Sequence, residues 1–201
     1  MPITTPPPIL LICREPLKPG RESAYSAIEE ETARSAVALG CPHPYLAAEC
    51  LTGSAEVWWF NGFESAAEQA HVADAYAKNE QWMAALTQNS ARKSDCTLAL
   101  IEALATYREE LSAGSRWSPG AGRFLVITMT SSGAPTSGTV FETADGLRFI
   151  VTPAPTREVA DARRAIAGAE SRVLAVRPRW SFPAAEWVAA DPEFWQPRVD
   201  R

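Results

Sequence analysis

At neutral pH the residue best suited to act as a general base is histidine, and this chain has two, His43 and His71. His71 falls in a run of helical periodicity, one position off the alanine stripe Ala66, Ala70, Ala73 and Ala77. It either borders a cavity, as a catalytic acid or base, or faces solvent. His43 lies in Cys41-Pro42-His43-Pro44, a loop stiffened by proline on both sides, and reads as structural. Glu49 and Glu102 belong to separate strand-like segments and are the carboxylates placed to reach a cavity; the alternative for either is an exposed sheet edge. Together His71 and Glu49 form the candidate catalytic pair. Arg172, Arg177 and Arg179 are a candidate anion site, or else partners for acidic residues of the first half.

Aromatic side chains supply the candidate binding surface. Trp58, Trp59, Tyr76 and Trp82, with Tyr45 nearby, have the composition of an apolar ligand pocket. Trp58 and Trp59 are adjacent in a strand and must point to opposite faces, one into a sheet–helix layer and the other onto the opposite sheet surface. The competing reading is that all of them are core and interface. Cys41, His43 and Cys50 contain ligating atoms, but Cys-x-His is not a structural-zinc spacing and no second ligand pair follows. No metal and no cofactor is therefore expected. The chain also lacks a Gly-rich phosphate loop, Gly-x-Ser-x-Gly and His-Glu-x-x-His, which argues against P-loop, α/β-hydrolase and zincin chemistry.

Charge is unevenly distributed. Residues 1–112 carry 8 Lys and Arg against 15 Asp and Glu, whereas residues 113–201 carry 11 against 9. Neither half has the clustered basic field that nucleic acid requires. No apolar run is long enough for a membrane span, the N-terminus lacks a signal-peptide pattern, and the four cysteines read as reduced thiols of a cytoplasmic protein. Three of the seven tryptophans, Trp180, Trp187 and Trp195, fall in the last 22 residues with Phe182 and Phe194. So many rings predict a tail docked on its own chain or on a second copy.

The elements that would position these residues follow from periodicity and punctuation. Residues 9–13 read as a central strand. After Pro19-Gly20, Tyr25, Ile28, Thr32, Ala36 and Leu39 define a helix with one buried stripe; Glu29, Glu30 and Glu31 fall mainly off it, and Gly40 closes it. Residues 45–51 and 56–60 make a hairpin. Ser65-Ala66-Ala67-Glu68 is a capping box opening a helix whose alanine stripe is expected to approach the sheet. A further helical turn or two follows, and residues 96–107 form a fourth strand. This β-α-β-β-α-β order is the split arrangement of the ferredoxin-like fold. Beyond a linker, residues 124–130, 139–143 and 147–152 are strands, with Asp145-Gly146 as a hairpin turn. Thr156 caps a helix with Val159, Ala162 and Ile166 facing inward, and residues 172–177 complete a degenerate β-β-β-α-β module. The expected fold is α+β, with a module at 9–111, a degenerate module at 123–180 and an aromatic tail at 181–201. Each sheet has a second face needing cover, which pairing within the chain or in a homodimer would supply.

Pro19-Gly20-Arg21-Glu22 after the first strand, and Trp59-Phe60 ahead of Phe63-Glu64-Ser65 at a helix start, resemble the dimeric α/β-barrel superfamily, in its antibiotic-biosynthesis-monooxygenase-like or NIPSNAP-like branches. The resemblance is clearest over residues 9–107. It implies a barrel of two ferredoxin-like sheets and carries no catalytic residue over. The function expected is the binding of a small, mostly apolar molecule. The alternatives are a cofactor-independent monooxygenase, in which the substrate itself activates oxygen with His71 or a carboxylate as base, and a structural or protein-interaction module.

Overall fold

The computed structural model describes residues 5–113, 122–132, 137–167 and 170–195, and the side chains of residues 166, 167 and 170 lie outside that description. The first half contains β1 (Ile9–Pro16), α1 (Glu22–Leu39), β2 (Leu46–Cys50), β3 (Glu56–Phe63), α2 (Ala66–Lys78), α3 (Glu80–Ser94) and β4 (Ile101–Tyr107). The second contains β5 (Phe124–Thr130), β6 (Thr139–Thr143), β7 (Arg148–Ala154), α4 (Arg157–Ala167) and β8 (Glu170–Val176), followed by the short helices α5 (Ala185–Ala190) and α6 (Pro192–Trp195). The strands close into a barrel in the order β1-β3-β2-β8-β5-β7-β6-β4, every pairing antiparallel. Each half thus supplies four neighbouring strands, and the seams are β2 with β8 and β4 with β6. The pairing left open by the sequence, within one chain or between two, is made within one.

Strand alternation divides the apolar residues between two layers. Leu10 and Ile12 of β1, Trp58 and Phe60 of β3, Ile127 of β5, Phe149 of β7 and Leu174 of β8 fill the barrel. Eight strands enclose a space that side chains of this size can fill. Trp187 and Trp195, ring centroids 5.4 Å apart, are fully buried in the same core and stop the barrel end at which β8 finishes. Ser181 Oγ secures the chain leading to that stopper, accepting from Ala47 N–H at 2.9 Å and donating to the Arg177 carbonyl at 2.8 Å. Toward the opposite end, Glu56 holds Arg14 at 2.8 Å and accepts from Trp58 Nε1 at 2.9 Å, while the Arg14 guanidinium lies 4.6 Å from the Trp58 ring.

The outer face of the first sheet carries Trp59 and Val57 beneath α1 and α3. Thr32 of α1 and Asn89 of α3, both buried, hydrogen-bond at 3.0 Å between those helices. Asn79 caps α3 by accepting from Trp82 N–H at 3.1 Å, and donates to the Leu39 carbonyl at the end of α1. Gly40 ends α1 at φ 68°, where a side chain would be strained.

Several expectations are revised. Ala66, Ala70, Ala73 and Ala77 are exposed, and α2 instead turns Val72 and Tyr76 inward, one turn apart. A long side chain with a polar tip thus takes the place expected for a close alanine contact. The fourth strand begins at Ile101 rather than residue 96, because α3 runs to Ser94 and Cys96 packs under the helices. In α4 the buried residue is Ala160, with Val159 beside it, and Ala162 is exposed; the Ile166 side chain lies outside the description. The capping box forms in altered geometry. Ser65 accepts from Glu68 N–H at 3.1 Å, but Glu68 reaches back to the N–H of Glu64 rather than that of Ser65.

Glu56, itself buried, compensates a partly buried guanidinium and a buried indole N–H together, so its removal leaves both without that partner. The expected outcome for Glu56→Ala is a loss of about 3–5 kcal/mol, read as a lowered urea midpoint with unchanged slope. The double variant Arg14→Met/Glu56→Gln keeps an acceptor for Trp58 and removes the charge; it is expected to lose less than half as much.

Candidate functional site

Between the first sheet and its helices lies a cavity of about 290 Å³ that opens widely to solvent. Its floor is one row of the sheet: the register places Trp59 of β3 opposite Cys13 of β1, and Cys13 opposite Glu102 of β4. Glu15 stands two residues along β1 on the same face. Its roof comes from Glu29 and Thr32 of α1, Tyr76 of α2, and Trp82, Leu86 and Lys93 of α3, with Tyr45 entering ahead of β2. The rim is at Leu100 and Glu102, both exposed.

Electrostatics within this space are organised around Glu29. Its side chain is inaccessible to solvent and takes Lys93 as its ion-pair partner. Burial pushes the Glu29 carboxyl up, against the stabilising charge of Lys93. The Lys93 ammonium also lies 4.7 Å from the Trp59 ring centroid and 5.8 Å from that of Tyr25, within cation–π range. Tyr25 donates to Glu15 at 2.6 Å, and its phenol is raised by burial and by the carboxylates of Glu29 and Glu15. Cys13 is pushed up to about 12, first by burial and then by Glu102, so it is a neutral thiol directed at that carboxylate at 3.7 Å. Burial likewise raises Tyr45 and Tyr76, and the Tyr76 hydroxyl meets Cys41 Sγ at 3.3 Å.

Besides the Glu29 carboxylate oxygens, which have the Lys93 ammonium as their charge partner, two buried polar atoms of the lining residues have no hydrogen-bond partner, the Tyr45 hydroxyl and Trp82 Nε1. Their residues are 8% and 2% exposed. An unsatisfied buried donor costs about 1–3 kcal/mol, and native structures rarely leave one without a reason.

The residues singled out in the sequence are dispersed. Trp59, Tyr76 and Trp82 line this cavity. Trp58 lies inside the barrel, on the other side of the sheet. His71 is exposed on α2 and lines neither this cavity nor the groove described next. Glu49 lies in a separate groove of about 810 Å³, between α1 and the segment after β8, where it pairs with Arg177 across the β2–β8 seam. Glu49 is thus the first-half acidic partner of Arg177. His43 is buried, stacks on Phe63 and bonds the Gly62 carbonyl at 3.0 Å; burial lowers its pKa. Cys41 belongs to the helix layer and Cys50 to the barrel core, so with His43 they do not converge. Among the described residues no group of three or more His, Cys, Asp or Glu is placed to hold a metal ion.

The sequence placed Glu29 off the buried stripe of its helix, and the structure buries it fully; Lys93 was not singled out. Glu29 follows Tyr25 by four residues and precedes Ala33 by four, and both are buried, so helical spacing puts it on the inward stripe. A charge in an acidic triplet looks solvated until its partner, in another helix, is known.

No protein-family model matches the chain, and no curated protein matches it. Among solved structures it is similar to a provisionally named monooxygenase from Fusobacterium nucleatum, at 10% identity and a TM-score of 0.51 over 89% of this chain and 94% of that one. It is also similar to a provisionally named monooxygenase from Lactobacillus acidophilus (11% identity, TM-score 0.48, 85% and 94% covered). A provisionally named chlorite dismutase gives 9% identity and a TM-score of 0.48, covering 86% and 96%. Among the described residues no helix is long and apolar enough to cross a membrane. With two four-stranded sheets closed into one antiparallel barrel and helices packed outside, the chain shares an α+β barrel fold with the Fusobacterium nucleatum structure.

Proposed function

We propose that the protein binds a small, mostly apolar molecule in the sheet–helix cavity of its first half. The observation that carries this reading is the lining of one cavity, where the apolar surfaces of Trp59, Tyr76, Trp82 and Leu86 come together and two of the lining residues, Tyr45 and Trp82, also carry buried polar atoms without a partner. Apolar walls with a few fixed polar groups are the usual composition of a small-molecule site. Here Trp59, Leu86 and the ring faces of Tyr76 and Trp82 supply contact area, and the two donors, covered in the ligand-free protein, would be satisfied by a ligand acceptor that a side-chain shift admits. The tandem reading of the chain fits this proposal. The first module carries the cavity, and the degenerate module and aromatic tail complete the barrel that holds its sheet.

A second reading, an oxygenase needing no cofactor, is favoured by Glu29. It lines the cavity with its carboxyl buried and its pKa raised by that burial, which suits a base that takes a proton at neutral pH once bound substrate uncovers it. In that reading Glu29 takes the base role, and His71 and Glu49 stand outside the chemistry.

Binding and folding make opposite demands on the two donors, and that separates them experimentally. Tyr45→Phe and Trp82→Phe each remove an unsatisfied buried polar group. The ligand-free variants are therefore expected to melt at least as high as the parent, by up to about 2–4 °C per kcal/mol relieved. A thermal-shift screen of small apolar compounds is expected to give hits on the parent whose stabilisation shrinks in both variants. A fall in melting temperature of the ligand-free variants would assign the two groups to the fold instead.

A further inference from the structure

We infer that the cavity selects an organic cation, a protonated amine or quaternary ammonium on a flat apolar frame bearing a hydrogen-bond acceptor; this rests on the cavity being a ligand site. The charged groups facing the cavity are Glu15, Glu29, Glu102 and Lys93. Glu29 and Lys93 compensate one another. Glu15 and Glu102 do not share that cation. Glu15 accepts from the neutral Tyr25 phenol, and Glu102 from the neutral Cys13 thiol. The register makes them diagonal neighbours on β1 and β4, a spacing within reach of long side chains. A cation placed between them would pair with both carboxylates.

The aromatic lining agrees. Tyr76 and Trp82 present rings 6.3 Å apart, tilted by 31°. Neither of these rings has a cation over it among the described residues, whereas Trp59 already has Lys93 at 4.7 Å. Lys93 itself shows that these walls stabilise an ammonium, held by one carboxylate and one indole face. The free donors orient the ligand. Tyr45 and Trp82 are in the buried part of the cavity and call for an acceptor, while Glu102 at the exposed rim calls for the positive end. An anionic ligand would meet two carboxylates without a compensating cation and be excluded.

Three probes of matched shape test this: 4-methoxyphenethylamine, 2-(4-methoxyphenyl)ethanol and 4-methoxyphenylacetate, titrated calorimetrically into the full chain at low salt. The amine is expected to bind roughly tenfold or more tighter than the alcohol, given the worth of cation–π and carboxylate contacts, and the carboxylate more weakly than either. Glu102→Gln, at the exposed rim where folding is least affected, is expected to reduce the amine's advantage several-fold while leaving the alcohol's affinity unchanged. Added NaCl is expected to narrow the gap. Equal or tighter binding of the alcohol or carboxylate, lost in Trp82→Phe, would overturn cation selection and leave the binding site standing. Binding of none of the three would overturn both.

Discussion

Mutual cover of two sheet faces is the constraint on which the rest depends. Each half of the chain makes a four-stranded sheet with large apolar side chains on the face away from its helices, Trp58 and Phe60 in the first and Phe141 and Phe149 in the second. Neither face can remain in water, since each fully buried ring of this size contributes about 1.5–3 kcal/mol. Joining β2 to β8 and β4 to β6 covers both faces and satisfies four strand edges together. Once the barrel is closed, the outer face of the first sheet is free to meet helices, and the cavity forms in that second layer. The tryptophan stopper belongs to the same solution. A barrel of eight strands has two ends, and Trp187 and Trp195 seal one, while Arg14 and Glu56 bring charge toward the other.

The cavity exists because the helix layer is held off the sheet by polar ties as well as by packing. Asn79 fixes the start of α3 to the end of α1, and Thr32 with Asn89 links their middles. Lys93 reaches from the last turn of α3 to Glu29 on α1, spanning the roof. Breaking such a buried pair by removing one partner leaves an uncompensated charge, at a cost of about 3–5 kcal/mol. The pair therefore holds the two helices in one relative position while keeping charge at the cavity wall. Tyr25 extends the arrangement by bonding Glu15 on the floor, so that roof and floor are joined at one side.

Much of the architecture was legible in the chain because it rests on local rules. Strand order followed from alternation and from turns such as Asp145-Gly146, whose glycine has φ 84°, and Trp58 and Trp59 divided between layers as a strand requires. The face of α2 was not legible. Four alanines at helical spacing and the sequence Val72…Tyr76 offer two plausible inward stripes, and propensity does not distinguish them. What decides is the cavity, which needs the length of Tyr76 to reach Cys41. Glu29 was obscured for a related reason. A carboxylate is buried only when its partner is supplied, and Lys93 lies 64 positions away in another helix. Long-range pairing of this kind leaves no periodic trace. The histidines drew attention as the simplest base, yet the buried titratable groups of the cavity are a glutamate, tyrosines and a thiol.

The two halves also differ in what their outer faces can do. In the first, three helices roof the sheet, and the residues around the space between include unpaired donors and carboxylates. In the second, α4 brings Ala160, which has no side chain beyond Cβ, against Val126 and Val173. A methyl group against valines permits close approach and leaves little room, so that contact serves packing alone. The acidic excess of residues 1–112 then has a structural correlate, because part of it is spent on Glu15, Glu29 and Glu102 around one cavity. Unpaired buried polar groups oppose folding, and the stability they cost must come from elsewhere. The barrel core, filled by side chains from both halves and stopped by two tryptophans, is where that stability is available. The second half contributes to the site by holding up the sheet on which it is built.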